Sequence, residues 1–268
     1  MSHTRKKINN KIRIKNRFKD LKETILNLEQ SNDDLRKLSD LKDEFISLAT
    51  HQIRGPLGAM KGYLSLMLEG DYGLVPGGLL DPIKIVFKSA DSLSKTVNDF
   101  LDISRIEQGQ MKLFFKDFNL VDLVHEAVSE MKNVIKDKGL DLRVKVQDKI
   151  LMVHGDKTKL KQVIINLIDN SYKYTEKGWM EISLEKCEFD KVLFSIKDSG
   201  VGIKKLTLPL LFQKFSRCSG ANDVNILGTG LGLYIAKKMV EANHGKIWAE
   251  SAGEGKGAEF YVELDIVK

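Results

Sequence analysis

The chain has 268 residues, 42% of them apolar and 30% charged, with 4 prolines and 21 glycines. That composition suits one or two ordinary folded domains and excludes a collagen-like or compositionally disordered chain. The formal charge of +6 is local: residues 1–20 hold eight of the 43 basic side chains and one of the 37 acidic ones, Asp20, so the rest of the chain is close to neutral.

No apolar run approaches the roughly 18 residues of a bilayer-spanning helix, and no signal-peptide core follows the basic start, so a soluble chain is expected. A basic leader on a neutral body has three readings: an RNA-binding arm, a juxtamembrane segment drawn to anionic lipid, or a solvated helix start. Nucleic acid ranks last, because no aromatic residue is interleaved before Phe18. Cys187 and Cys218 form no CxxC pair and no ligand cluster with the five histidines. Neither a disulfide framework nor a zinc site follows, and reduced thiols in the cytosol fit best.

In chain order, Ile14, Phe18, Leu21, Ile25, Leu28 and Leu35 step by 4 and 3, with Asn32 on the same seam. This is a coiled-coil pattern in which a polar seam residue fixes register. Leu38, Leu41, Phe45 and Leu48 then take over the stripe, so the phase slips just upstream of His51. A second amphipathic helix is predicted over about 81–108, after a turn-rich connection beginning at Glu69-Gly-Asp-Tyr-Gly. One αα-hairpin buries two apolar stripes poorly, so a dimeric four-helix bundle is the expected completion.

Beyond Gln110 the periodicity changes. Helices are predicted from Asp117 to about Lys138, over about 158–174 and over about 231–242, the last ending with Gly245 as its cap. Strands are predicted at 141–147, 180–187, 191–197, 246–250 and 258–267. This half reads as a sheet covered by helices, an α+β layer sandwich.

Three glycine clusters lie here: Asp198-Ser-Gly-Val-Gly-Ile, Gly228-Thr-Gly-Leu-Gly-Leu and Gly253-Glu-Gly-Lys-Gly. The second opens a helix, where free amides attract anions, and so is the best phosphate cradle. It matches neither the P-loop nor the dinucleotide fingerprint. Asn166 and Asn170, four apart, share a helix face that Lys173 and Tyr174 extend. Asn is a poor helix former, and its amide oxygen suits Mg²⁺.

The ordered set resembles the catalytic core of a bacterial sensor histidine kinase over about residues 40–268. His51-Gln-Ile-Arg-Gly-Pro-Leu is similar to the H box and Asn166–Asn170 to the N box. Asp198–Gly202 matches the first glycine box, Leu211–Arg217 the F box, Gly228–Leu233 the second glycine box, and the Gly253–Gly257 region the last. The resemblance implies an ATP-binding sandwich shared with type II topoisomerases, heat-shock 90 chaperones and mismatch-repair ATPases. It implies ATP and Mg²⁺ as cofactors, with Asn170 binding Mg²⁺ and Asn166, Lys173 and Tyr174 lining the nucleotide site. Asp198 would accept from the adenine amino group. Gly200, Gly202, Ile203, Phe215, Arg217, Gly228, Thr229, Gly230, Leu231, Gly232 and Leu233 would complete the nucleotide site, under a lid at 216–227.

His51, with Gln52 and Arg54 beside it, would be the catalytic group. It falls roughly 160° from the apolar stripe of Ile53, Leu57, Met60, Leu64 and Met67, at ~100° per residue, and so faces solvent or a second domain. A neutral imidazole nitrogen can attack the γ-phosphorus, with alignment and charge neutralisation supplying most of the catalysis. The family commonly has Glu or Asp after the histidine, credited with taking its proton; here Gln52 has no basic oxygen near neutral pH. Four positions on, where Thr or Asn is tied to dephosphorylating the partner regulator, stands Gly55, followed by Pro56, which predicts a bend.

The expected organisation is therefore a basic leader and coiled-coil signal helix (1–44), a dimerisation and phosphoacceptor domain (45–110) and an ATP-binding domain (115–268). Expected partners are a second copy and the receiver domain of a separate response regulator, with no nucleic acid. No sensor or receiver domain is recognisable, so a cytoplasmic fragment of a larger, membrane-anchored or fused receptor is expected. The alternatives are a GHKL-type ATPase without a histidine acceptor and a nucleotide-sensing dimeric scaffold.

Overall fold

A computed structural model describes residues 2–188, 190–216 and 229–267. Helix α1 (Ser2–Glu69) is continuous, so the signal helix and the first arm of the hairpin are one helix. Pro56 does not interrupt it. The proline removes only the donor that would reach the Gln52 carbonyl, and Gln52 is exposed, where water can replace it. After a turn in which Gly70 and Gly73 adopt positive φ, helix α2 (Gly77–Glu107) returns antiparallel to α1.

The hairpin's own buried core is small: Leu57, Ala90 and Val97. Arg54 Nη2 donates to Asn98 Oδ1 at 2.9 Å, and Lys61 pairs with Asp91. Much of the predicted stripe stays exposed, including Ile53, Met60, Ile85, Leu93 and Phe100 on the hairpin and Leu21, Ile25, Leu28 and Leu35 on the leader.

The second half contains β1 (Lys116–Asn119), α3 (Leu120–Asp137), β2 (Asp141–Val146), β3 (Met152–Gly155), α4 (Lys157–Tyr174), β4 (Trp179–Cys187) and β5 (Lys191–Asp198). A 3₁₀ turn at Leu208–Leu210 follows, then α5 (Gly232–Ala242), β6 (Lys246–Glu250) and β7 (Ala258–Asp265). The main sheet has the order β2-β4-β5-β7-β6, with only the β2–β4 pair parallel. Period-two alternation turns Ile182, Leu184, Phe194, Ile196, Phe260 and Val262 toward α3, α4 and α5, all buried. Each such side chain contributes about 1.5–3 kcal/mol relative to exposure. The opposite face is polar: Lys197 pairs with Glu259, and Lys145 with Glu181.

Two expectations are corrected. The helix predicted from Asp117 begins at Leu120, because 116–119 pair as a strand with β3, a segment not foreseen as a strand. Asn119 marks the switch: its Oδ1 accepts from the Val121 and Leu151 amides, capping α3 and tying it to the start of β3. At the end of α5 the left-handed residue is His244 (φ 61), not Gly245. The His244 amide reaches the Glu241 carbonyl and the Gly245 amide reaches the Val240 carbonyl, a Schellman pair. Gly245 is needed for space instead, since a Cβ there would stand 2.6 Å from the Glu263 carbonyl oxygen.

Candidate nucleotide site and phosphoacceptor

Helix α4 starts where Asp156 caps it, accepting from the Thr158 and Lys159 amides. Val163, Ile164, Leu167 and Ile168 bury one face against the sheet. The 3.6-residue period then leaves Asn166, Asp169, Asn170, Lys173 and Tyr174 on the wall of a cavity. Asn166 Nδ2 is buried without a hydrogen-bond partner. An orphaned buried donor costs about 1–3 kcal/mol, which an anionic ligand oxygen would recover.

Asp198 ends β5 and is 4% exposed. Its Oδ1 accepts from the Gly200 amide at 2.9 Å and the Ala258 amide at 3.3 Å, leaving Oδ2 as the oxygen without a backbone donor. Burial raises this carboxyl above the usual carboxylate range, and the two backbone donors and Ser171 oppose the shift. Its neighbours need glycine for close packing. A Cβ on Gly202 (φ +69) would lie 2.1 Å from the Gly253 carbonyl oxygen, and one on Gly257 (φ +71) would lie 1.9 Å from that of Asp198. The first and last glycine boxes thus interlock through backbone, with Gly257 N donating to Gly200 O and Ser251 Oγ to Gly257 O. Their glycines position Asp198 more than they cradle phosphate.

The second glycine box borders the same cavity through Thr229, Gly230, Gly232 and Leu233, just where α5 begins without a side-chain cap. Free helix-start amides there favour an anion. Ile203 and Gly202 also reach the wall. Three expected residues do not: Gly200 instead takes part in the backbone contact with Gly257. Phe215 is 61% exposed, its backbone lying behind Gly230, and Leu231 is fully buried in the core. Leu211, not singled out within the F box, supplies the apolar wall instead. Arg217, Gly228 and the expected lid from 217 onward lie outside the described residues.

The site also takes in residues that no motif marks: Ser92, Lys95, Thr96 and Asp99, all on α2. Nothing in their local pattern separates them from other polar positions on an amphipathic helix. Lys95 Nζ lies 2.7 Å from Asp169 Oδ2, and Asp169 also holds Lys173 at 2.9 Å. Both cations favour the Asp169 carboxylate, and its pKa is lowered despite the opposing effect of burial. His51, Gln52 and Arg54 are exposed and lie apart from the cavity.

Residues 41–109 match the His Kinase A (phospho-acceptor) domain, and residues 155–268 match the histidine kinase-, DNA gyrase B- and HSP90-like ATPase family. The catalytic domain of histidine kinase ThkA is 31% identical, with 57% of this chain covering 97% of that one at a TM-score of 0.50. The chain belongs to the histidine kinase family. It carries the two-component catalytic core of that family, an α-helical phosphoacceptor hairpin followed by an α+β ATPase fold. The sensor histidine kinase GacS of Pseudomonas protegens is 34% identical over 248 residues, 91% of this chain and 27% of GacS. The chain therefore spans about a quarter of the length of such curated relatives. A crystal structure of ThkA in complex with the response regulator protein TrrA is 27% identical, covering 84% of this chain and 61% of that one, with a TM-score of 0.55.

Among the described residues no group of three or more His, Cys, Asp or Glu side chains could hold a metal. No helix there is long and apolar enough to cross a membrane.

Proposed function

We propose that this chain is an ATP-dependent protein-histidine kinase that phosphorylates His51 and passes the phosphoryl group to an aspartate of a response regulator. The observation that carries the reading is an exposed imidazole on the phosphoacceptor hairpin in a chain with a cavity lined by a buried carboxylate, Asp198, and by an uncapped helix start. Asp198 Oδ2 would accept from the adenine amino group. Asn166 and Lys173 would meet phosphate oxygens, as would the amides of Gly232 and Leu233.

The donor set fits Mg²⁺. Asn170 offers an amide oxygen on the cavity wall, and a hard cation that keeps several waters completes its shell with phosphate oxygens. The ion would neutralise charge on the transferring phosphoryl group. The imidazole of His51, neutral at one ring nitrogen, forms the N–P bond with its lone pair as the bond from the γ-phosphorus to the bridging oxygen of ADP breaks. Its other nitrogen releases a proton. Gln52 cannot take that proton, and the exposure of His51 leaves water to do so. Because His51 lies apart from the cavity, the ATP-binding half must move along the hairpin before transfer.

The exposed stripe of Ile53, Met60, Ile85, Leu93 and Phe100 fits a second copy of the hairpin, completing a four-helix bundle. The response regulator assignment draws on the ThkA complex. Use of ATP and the free thiol of Cys187 support a cytoplasmic side, whether as part of an anchored receptor or not. Incubation with γ-labelled ATP and Mg²⁺ tests the reading: label should appear on wild type and be lost in both His51→Ala and Asn170→Ala. Full ATP turnover in His51→Ala with no phosphoprotein in wild type would instead mark an ATPase without a histidine acceptor.

A further inference from the structure

The start of α5 is the anion-seeking end of the cavity, and the side chain that reaches it comes from the other domain. Asp99 on α2 is 8% exposed and lines the cavity together with Thr229, two residues ahead of the uncapped N-terminus of α5, and with Gly230 and Gly232. Thr229 Oγ1 accepts from the Leu231 amide at 3.3 Å. The position is costly for an anion. Burial pushes the Asp99 carboxyl up to about 6, with Lys95 opposing, Asp102 adding to the shift, and Lys173 and Thr229 opposing.

The docking has its own clamps outside this contact. Asp102 accepts from Gln162 Nε2 at 3.0 Å and faces Lys159 at 3.5 Å, and Glu107 pairs with Lys214. Lys95 takes up part of Asp169, the same carboxylate that neutralises Lys173 on the cavity wall. Helix α2 thus brings a carboxylate to the place where a nucleotide would bring its phosphates.

We infer that Asp99 stands in for a phosphate at the start of α5, so that a triphosphate must displace it and loading the cavity releases the ATP-binding half from α2. The inference rests on the reading that nucleotide occupies this cavity. Two anions cannot share one helix start, so docking weakens ATP by the same factor by which ATP weakens docking. Adenosine, which lacks phosphates, falls outside this coupling. The device explains why an arrangement with His51 away from the cavity is stable only until substrate arrives.

The test is calorimetric titration of the full chain with Mg-ATP and, separately, adenosine, for wild type, Asp99→Asn and Asp102→Ala. Asp99→Asn should bind ATP about ten-fold more tightly, since a like charge is removed from the cavity wall that meets the phosphates, while adenosine binds as before. Asp102→Ala, which loosens the clamp without touching the cavity, should also tighten ATP. Unchanged or weaker ATP binding in Asp99→Asn, or an equal gain for adenosine, overturns the inference and leaves the nucleotide site intact. Absence of saturable ATP binding in all three proteins overturns the nucleotide reading itself.

Discussion

Asp198→Asn is the sharpest probe of how the cavity chooses its base. In the native chain Oδ1 is committed to two backbone donors, Gly200 N at 2.9 Å and Ala258 N at 3.3 Å, so only Oδ2 is open to a ligand. An asparagine keeps its single oxygen on those amides, because the flipped rotamer would set its NH₂ against two N–H groups. The ligand then meets a donor where it met an acceptor. Losing a hydrogen bond to a charged group costs about 1.5–3 kcal/mol, or roughly 10- to 150-fold in affinity for ATP. The sign reverses for a purine with a carbonyl at position 6, so inosine triphosphate should bind Asp198→Asn more tightly than wild type. Competitive titration of the two nucleotides measures both effects. ATP affinity within three-fold of wild type, with no gain for inosine triphosphate, would refute the assignment of Oδ2 to the base.

Gly202→Ala combines a left-handed residue, ~1–2 kcal/mol, with a backbone clash of the kind that costs ~1–3 kcal/mol, so urea unfolding should show a loss of about 2–5 kcal/mol; a loss under 1 kcal/mol would contradict the interlocked glycine boxes. Asp99 carries a pH dependence: its carboxyl, ordinarily at 3.8, is raised to about 6 when docked, so the contribution is fully present below 3.8 and is lost as pH rises through about 6. The groups facing it are Lys95 and Asp102 on α2, Lys173 on α4 and Thr229 before α5. The two-unit window is worth about 3 kcal/mol at most, and spin-label distances between α2 and α4 should lengthen across it in wild type but not in Asp99→Asn. Gln52→Glu should raise the initial rate of His51 phosphorylation by about ten-fold or more, since it supplies a proton acceptor where the native residue has none; a rate unchanged in single-turnover labelling would show that proton removal is not limiting.

Much of the molecule is legible in the sequence because its signals are local. Asn166 and Asn170 share a helix face by spacing alone, and that face does wall the cavity. The alternation of Val192, Phe194 and Ile196 predicts an inward set, and all three are buried. What escaped depends on partners far away in sequence. Strand β1 has one buried apolar side chain, Phe118, and exists because β3 lies 36 positions downstream in register with it. Phe215 and Leu211 sit in one short box, yet the positive φ of 58 at Phe215 and the packing behind Gly230 turn that ring outward while Leu211 turns in.

The largest omission, the Lys95 and Asp99 wall, has the same physical origin. On α2 these residues look like ordinary polar positions of an amphipathic helix, and only docking against α4 and α5 gives them a role. The mean energy of such a contact is small, because each charge gives up hydration to gain a partner. A surface that is nearly neutral in free energy is what a reversible contact requires: a stronger clamp would hold the cavity away from His51 permanently. Sequence patterns record the strong, permanent burial of the sheet and helices well. They record weak, switchable contacts poorly, and it is among these that a kinase must keep the step separating nucleotide capture from phosphoryl transfer.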